Sequence, residues 1–263
     1  MKNTLRELNS RNLIAKLPGA DPALQHQVVI YSAHWDHLGR DPQLSGDPVY
    51  HGARDNATGI GGLIELGRGF AKVEPGPRRS ILFLAVTAEE QGLLGSEYYA
   101  KNPLYPLAKT LAVVNMDSLN VQGRTKDISI TGYGNSDLDD YARQVAGEQG
   151  RIIVPDPAPE RGGYYRSDHF PFAKQGVPAL ASSGGIEYIG KPEGWGLEKQ
   201  QEYTANDYHK PTDNVRPDWD MSGAAQDLQY YWLVGYRVAQ ADKYPEWKPG
   251  TEFRALREKM LGQ

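Results

Sequence analysis

The sequence contains no cysteine, which excludes disulfide bonds and thiolate metal sites. Any bound metal ion must therefore take its ligands from histidine, aspartate and glutamate. Long apolar runs are absent too, since no stretch reaches the roughly eighteen apolar residues that a membrane-spanning helix needs. Residues 1–8 lack the apolar core of a signal peptide. We expect no membrane span.

The net charge of the chain is small. Lysine and arginine contribute 29 residues and aspartate and glutamate 33, which gives −4 at pH 7. This balance gives no reason to expect nucleic acid or an anionic membrane as a partner. With 39% hydrophobic residues, the 263-residue chain can bury one substantial core. We expect a single domain over residues 1–263.

Short apolar runs bounded by turn residues predict the strands of an α/β protein. The clearest run, 81–88, is apolar apart from Thr87 and follows the turn-prone segment 75–79. Such a run is typical of a strand covered on both faces. The other predicted strands are 12–17 at an edge, 28–33, 111–116, 128–130 and 176–180. The predicted helices are 60–71, 92–100, 137–149 and 220–241.

Two segments have no clear periodicity. Residues 182–208 combine many glycine, glutamate and aromatic residues, and we expect a functional or mobile loop there, because long structureless stretches are uncommon in compact domains. We expect the residues after 241 to be polar and exposed.

Two adjacent carboxylates, Glu89 and Glu90, stand at the C-terminal end of the clearest strand. Open α/β sheets place their sites at this end of their strands. Successive side chains of an extended segment point to opposite sides, so the two glutamates cannot do the same work. One can bind a metal while the other acts as a general base. The simpler interpretation is a charged strand end in solvent.

The strand 28–33 runs directly into His34, which is followed by Asp36 and His37. Residues two apart on a strand share a side, and a metal-bound histidine usually donates its second N–H to a carboxylate or carbonyl. Asp36 can therefore orient His34, although a surface His-Asp pair is equally common. His37 competes with His34 as a ligand, and we interpret His37 as structural.

Three further candidates complete the set. Asp55 precedes a predicted helix, where it can bridge two metals or simply cap the helix. Asp117 follows the strand 111–116, and His209 lies beyond the segment 182–208. Asp213 is a candidate to support His209.

Taken together, these residues suit a pair of divalent metal ions. With Glu90 as the ligand of the glutamate pair, the set has two histidines and three carboxylates: His34, Asp55, Glu90, Asp117 and His209. Such ions lie ~3.5–4 Å apart and lower the pKa of a shared water. Glu89 would then take the proton from that water and return it to a leaving amine.

The order of these residues resembles the co-catalytic di-zinc metallopeptidases, over about residues 12–240. The motifs that carry the resemblance are His34-x-Asp36, Asp55-Asn56-x-x-Gly59, Glu89-Glu90, Asp117 and His209. The family includes bacterial leucyl aminopeptidases, glutamate carboxypeptidase II and single-zinc glutaminyl cyclases. The resemblance implies a three-layer α/β/α fold with a mixed, mostly parallel central sheet. It also implies a zinc-dependent aminopeptidase acting on peptides or small aminoacyl substrates.

The resemblance also implies a role for each residue. Asp55 would bridge two Zn²⁺ ions, for which Co²⁺ or Mn²⁺ could substitute. His34 and Asp117 would complete one metal site, and Glu90 and His209 the other. Asp36 would orient His34, Glu89 would be the general base, and Tyr164 would bind the oxyanion, although Tyr165 is adjacent. We expect the pocket for the substrate's first residue to include Phe170, Phe172, Tyr188 or Trp195.

Several alternatives stay open. The same fold carries single-zinc glutaminyl cyclases, and it carries carboxypeptidases or dipeptidases, which would want a cationic pocket from residues such as Arg166 or Lys191. A non-enzymatic relative would usually have lost ligands. Many relatives are periplasmic or secreted and some carry a protease-associated domain. Residues 1–263 therefore read as one catalytic domain, either a small form or part of a longer precursor, and the compartment and oligomeric state are left open.

Overall fold

The structure is a computed structural model that describes residues 7–262. Its centre is a seven-stranded sheet, and a two-stranded hairpin lies outside it. In chain order the strands are β1 (Leu13–Leu17), β2 (Val28–His34), β3 (Gly39–Arg40), β4 (Val49–Tyr50), β5 (Ser80–Val86), β6 (Thr110–Asn115), β7 (Asp127–Thr131), β8 (Ile152–Pro155) and β9 (Ala179–Gly184).

The central sheet has the order β1-β5-β2-β6-β9-β7-β8. Strands β5, β2, β6 and β9 run parallel to one another, whereas β1 pairs antiparallel with β5 and β7 antiparallel with β9. The β7–β8 pair is parallel. The mixed, mostly parallel sheet expected from the sequence is therefore confirmed. The antiparallel β1 is the edge strand predicted at 12–17.

Seven α-helices connect and cover the strands within the described residues. They are α1 (Thr58–Phe70), α2 (Leu94–Lys101), α3 (Leu138–Glu148), α4 (His169–Lys174), α5 (Trp195–Asn206), α6 (Ser222–Gln240) and α7 (Arg254–Leu261). No helix among residues 7–262 has the length and apolar character that crossing a bilayer would require.

Both faces of the central strands are buried, and β2 shows this directly. Val29 and Tyr31 pack in the core cluster that also holds residues of α1, α3 and α6. Val28 and Ile30, which alternate with them, pack with Tyr99 of α2 and other residues of the opposite cluster. Because successive strand side chains point to opposite faces, this alternation places helices on both sides of the sheet. The fold is thus the expected α/β/α sandwich.

Two expectations about the second half of the chain are wrong. The segment 182–208 contains α5, a helix with only Gly196 buried, so it lacks the apolar stripe that would have predicted it. The segment after 241 is not simply exposed, since Trp247 and Phe253 are 1% and 8% exposed. Trp247 donates a hydrogen bond to the Gly176 carbonyl at 2.8 Å, which ties this segment to the domain.

Candidate metal centre and its cavity

The carboxyl ends of three neighbouring parallel strands bring four of the predicted site residues to one edge of the sheet. His34 is the last residue of β2 and pairs in register with Val86, the last residue of β5. Glu89 and Glu90 follow β5, and Asp117 follows β6. Since β2 lies between β5 and β6, these side chains meet as the sequence predicted.

A short turn at residues 53–57 carries Asp55 to the same edge. The Asp213 carboxylate accepts hydrogen bonds from the backbone N–H groups of Arg54 and Asp55, each at 3.1 Å. The contact predicted for Asp213 was with His209, so its observed partner is different. Asp213 instead shapes the turn that presents Asp55.

The carboxamide of Asn56 joins that turn to the end of β6. Its Nδ2 donates to the Met116 carbonyl at 3.0 Å, and its Oδ1 accepts from the backbone N–H groups of Gly59 and Ser118, both at 3.0 Å. A Cβ atom on Gly59 would lie 2.2 Å from Asn56 Oδ1. This contact explains in physical terms why the motif has asparagine and then glycine at this spacing.

Asp55 lies between two imidazoles. Its Oδ1 is 3.1 Å from Nε2 of His34, and its Oδ2 is 3.4 Å from Nε2 of His209. Asp117 Oδ1 is 3.4 Å from the same nitrogen of His34, and Glu90 Oε2 is 3.1 Å from that of His209. The five predicted ligand side chains therefore converge in two groups that share Asp55.

The other ring nitrogen of His34 is oriented by Asp36, though not by the group that the sequence suggested. Nδ1 lies 3.1 Å from the Asp36 backbone oxygen and 3.9 Å from its carboxylate. The Asp36 carboxylate instead accepts the backbone N–H of Glu89 at 3.2 Å. Asp36 thus joins the end of β2 to the segment that carries the two glutamates.

His37 belongs to the second group of donors. Its Nδ1 is 2.7 Å from Oε1 of Glu90, the oxygen that does not face His209. His37, Asp55 and Glu90 also offer three donor atoms within 4.8 Å of one another. The sequence offered His37 as an alternative to His34 as a metal ligand, whereas the structure places His37 beside Glu90 and His209.

Asp117 is held by a chain of polar side chains. The Ser167 hydroxyl donates to Asp117 Oδ2 at 2.7 Å and accepts from Asn115 Nδ2 at 2.9 Å. Ser32 on β2 donates to Asn115 Oδ1 at 2.7 Å. Such partners fix the orientation of ligating groups. The sequence did not indicate this contact.

The backbone beside these residues is strained. Ala88, Ser118 and His209 have φ values of 55°, 62° and 57°, in the left-handed region that non-glycine residues rarely occupy. Ala88 directly precedes Glu89, Ser118 directly follows Asp117, and His209 is itself a predicted ligand. Strained backbone of this kind concentrates at functional sites.

Glu89 lies beside the converging groups. One of its oxygens is within 4.8 Å of donor atoms of His34 and Glu90. Burial, followed by repulsion from Asp117, raises the pKa of Glu89 to about 9. Glu89 also lines an open cavity of about 780 Å³, together with Asp55, Glu90, Asp117 and His209.

The two adjacent tyrosines have different surroundings. Tyr165 lines the cavity beside the cluster, whereas Tyr164 packs against His169 and Phe253 and lines a different cavity. The structure does not bring Tyr164, the predicted oxyanion residue, to the cluster. The neighbouring Phe170 does line the cluster cavity.

The other three residues expected around the substrate's first side chain are placed elsewhere. Phe172 is fully buried in the core, and Tyr188 packs on Trp195 with ring centroids 5.0 Å apart. Phe172 therefore cannot line a pocket in this structure.

The chemistry of the cluster fits divalent metal ions. Nitrogen and carboxylate oxygen donors of this kind suit zinc. Burial opposes a charge on His34, but hydrogen bonds to Asp117 and Asp55 outweigh it and raise the His34 pKa to about 12. Carboxylates crowded together in this way repel one another, and a bound cation would offset that repulsion.

An α/β/α fold with nitrogen and oxygen donors at the carboxyl ends of its strands defines a class of metal-dependent hydrolases. The sequence model of peptidase family M28 matches residues 12–233, and the chain belongs to this family. Zinc is the metal that this membership implies. The predicted resemblance to zinc metallopeptidases is thereby confirmed.

Curated relatives carry peptidase names. Leupeptin-inactivating enzyme 1 of Streptomyces exfoliatus is 28% identical over 208 residues, which is 78% of this chain and 43% of that protein. Leucine aminopeptidase 2 of Trichophyton rubrum is 27% identical over 217 residues, 78% of this chain and 40% of that protein. The chain thus spans less than half the length of these two relatives.

Solved structures share the fold at low sequence identity. The LapA aminopeptidase of Legionella pneumophila has a TM-score of 0.64 at 17% identity, covering 88% of this chain and 55% of that one. The zinc aminopeptidase BSAP of Bacillus subtilis has a TM-score of 0.62 at 21% identity, covering 92% of this chain and 52% of that one. These matches establish the architecture.

Proposed function

We propose that this chain is a zinc-dependent aminopeptidase that hydrolyses the first residue from peptides. One observation carries the proposal: Asp55 turns its two oxygens toward two different histidines, 3.1 Å and 3.4 Å away. A carboxylate placed in this way suits a bridge between two cations. The names of the relatives support the same activity but belong to longer proteins.

The chain's own residues divide the work of binding two zinc ions. His34 and Asp117 would hold one ion, Glu90 and His209 would hold the other, and Asp55 would be available to both. Zinc ions bound there would lower the pKa of water and stabilise negative charge on oxygen. His37 orients Glu90 through the 2.7 Å contact with its Oε1.

Glu89 moves the proton. Among residues 7–262 it is the one carboxylate at the converging groups that is not assigned to a metal, and it borders the cavity where a substrate would lie. Burial and Asp117 raise the pKa of Glu89, and cations bound beside it would lower that pKa again. Its carboxylate would then take a proton from the attacking water and return it to the nitrogen of the leaving group. The backbone N–H of Glu89 donates a hydrogen bond to the Asp36 carboxylate, which fixes the position of the segment that carries Glu89.

The cavity offers carboxylates to a substrate that presents a cation. Besides the predicted ligands, Glu89 and Glu97 contribute carboxylates to its lining, which also contains Arg166 and Lys174. An N-terminal ammonium group would be attracted to this lining. Tyr165 and Tyr208, which also border the cavity, are the tyrosines positioned to donate a hydrogen bond to the oxyanion.

The test is to assay the zinc-loaded chain against a panel of aminoacyl p-nitroanilides while measuring its metal content. We expect hydrolysis, two zinc ions per chain, and loss of activity on chelation that returns when zinc is added. A single zinc with cyclisation of an N-terminal glutamine substrate would instead identify a glutaminyl cyclase. Activity that survives complete removal of metal would overturn the proposal.

A further inference from the structure

A second cavity of about 500 Å³ adjoins the cluster cavity. The two share part of their lining, which consists of Asp117, Ser118, Arg166, Gln200 and Tyr208. A substrate whose reacting bond lies beside Asp117 therefore extends from one cavity into the other. The second cavity is one place on the described surface where the remainder of that substrate can lie.

The lining of the cluster cavity has five carboxylates against Arg166 and Lys174, whereas the second cavity is basic. Arg54, Arg161 and Arg166 line it, and Asp117 is the only carboxylate among its described lining residues. That carboxylate already serves the metal cluster. The cavity therefore presents three guanidinium groups to an incoming ligand and little to neutralise them.

The three guanidinium groups also lack carboxylate partners within residues 7–262. Some other arginines of the chain pair with acidic side chains, such as Arg151 with Asp227 at 2.8 Å. The Arg54 guanidinium instead lies 4.2 Å from the ring centroid of Tyr203, and its buried Nε has no hydrogen-bond partner in the described residues. Unpaired guanidinium groups bind carboxylates through paired, parallel hydrogen bonds.

Electrostatics decides which part of a peptide enters this cavity. The first residue of an aminopeptidase substrate carries an ammonium group, which three arginines would repel. The part beyond the scissile bond carries no such charge and ends in a carboxylate when the peptide is short. The acidic cluster cavity and the basic second cavity together match the two charged ends of a short peptide.

We propose that the cavity lined by Arg54, Arg161 and Arg166 recognises a carboxylate on the leaving side of the scissile bond. This inference rests on the proposed aminopeptidase activity and names its substrate class. The carboxylate comes either from the C-terminus of a dipeptide or from an acidic second residue. Of the two cationic residues suggested by the sequence, Arg166 lines this cavity, whereas Lys191 lies over the ring of Trp195.

The experiment compares leaving groups on one first residue, X, the best residue from the p-nitroanilide panel. The substrates are X-Gly with a free carboxylate, X-Gly amide, X-Glu amide and X-Gln amide. Charge-assisted hydrogen bonds predict that kcat/KM for a carboxylate substrate exceeds that of its neutral partner about tenfold or more. X-Gly against its amide reports the terminal carboxylate, and X-Glu amide against X-Gln amide reports the side chain.

Variants then assign the preference to the cavity. In the double variant Arg161→Gln, Arg166→Gln we expect the ratio between charged and neutral leaving groups to fall to within about twofold. Arg54 is left unchanged because it directly precedes Asp55. The matched control is Arg68→Gln, which removes an exposed arginine on α1 that pairs with Glu65 at 3.0 Å. The control should keep the wild-type ratio.

Each outcome separates the two proposals. Hydrolysis of the panel without any preference for charged leaving groups overturns the inference and leaves the aminopeptidase intact. A preference that persists in the double variant also overturns it. If the double variant instead loses rate on substrates with an acidic first residue, the cavity binds the part of the substrate before the scissile bond. The inference is then wrong. Failure to hydrolyse any substrate overturns the proposed function and this inference with it.

Discussion

Asp55 turns one oxygen to His34 and the other to His209, and this single side chain carries the proposal of a two-ion site. The role of Asp55 as a candidate ligand was predictable, because acidic residues and histidines follow the predicted strands and turns in the sequence. Its supports were not, since Asp213 reaches the Asp55 backbone from 158 positions away. Contacts between residues so far apart in the chain cannot be predicted from a local sequence pattern.

Removing the base without removing the metal tests the role of Glu89. We expect Glu89→Gln to keep both zinc ions and to lose about 10²–10⁴-fold in kcat, the range that a positioned acid–base group supplies. Steady-state kinetics with metal analysis measures both quantities. The control, Glu65→Gln on the exposed face of α1, should keep the wild-type rate. Full turnover in Glu89→Gln would refute the assignment.

The two histidines next to Glu90 can be separated by metal content. His209 faces both Asp55 and Glu90, whereas the only ion pair of His37 among the described residues is with Glu90. We therefore expect His209→Ala to lose one zinc ion and His37→Ala to keep two with weaker affinity, by about 10–100-fold. The reverse pattern would make His37 the ligand.

His169 makes the stability of the zinc-free protein depend on pH. It is fully buried, and burial lowers its pKa from 6.5 to about 4. The unfolded chain therefore binds this proton more tightly than the folded chain. Its contribution is complete above about pH 6.5, and roughly 3 kcal/mol of stability is lost as the pH falls to about 4.

The check is urea denaturation of the chelated protein between pH 7 and 4, comparing wild type with His169→Phe. The variant keeps a ring against Tyr164, whose centroid lies 4.9 Å from that of His169. As the pH falls from 7 to 4, we expect the free energy of unfolding of His169→Phe to decrease by less than that of the wild type. The difference should equal the contribution of His169 given above. Equal slopes in the two proteins would contradict the prediction.

Among the secondary-structure elements, those with strong local patterns were predictable. The strands β2, β5 and β6 are short apolar runs bounded by turns, and their carboxyl ends carry the site. Helix α5 was missed because only Gly196 among its residues is buried. Strand β8 was missed as well, since Ile152–Pro155 is only partly buried and reads as a loop. These elements owe their structure to neighbours rather than to periodicity.

Helix α1 offers a test of how an element positions a ligand. We expect Gly59→Ala to destabilise the protein by about 1–3 kcal/mol and to weaken zinc binding, because the new Cβ would meet Asn56 Oδ1 at 2.2 Å. Zinc titration and chemical denaturation measure the two effects. On the same helix, a Cβ at Gly61 meets nothing within 4 Å, so Gly61→Ala should be neutral or stabilising. Similar results for both variants would contradict this explanation.

For the whole molecule, metal binding and folding should be linked. The cluster gathers residues from β2, the turn before α1, the ends of β5 and β6, and the segment after α5. Zinc at about a thousandfold above its dissociation constant adds about 4 kcal/mol per site, enough to raise the Tm by roughly 10 °C. Thermal denaturation with zinc and with chelator measures this. An unchanged Tm would show that these segments do not share a metal.

The organisation of the whole molecule was predictable in its core and not beyond it. The burial of β2 on both faces and the parallel order of the central strands follow from apolar runs that the sequence displays. The packing of Trp247 against Gly176 depends on a contact 71 positions apart, which explains why the C-terminal segment was misjudged. The single catalytic domain stays a prediction, and the compartment stays open.

The most direct test is a crystal structure of the zinc-loaded protein with anomalous data collected at the zinc edge. We expect two anomalous peaks ~3.5–4 Å apart, with Asp55 between them, one beside His34 and Asp117 and one beside Glu90 and His209. No peak at these residues, or a single peak away from Asp55, would contradict the proposed metal centre.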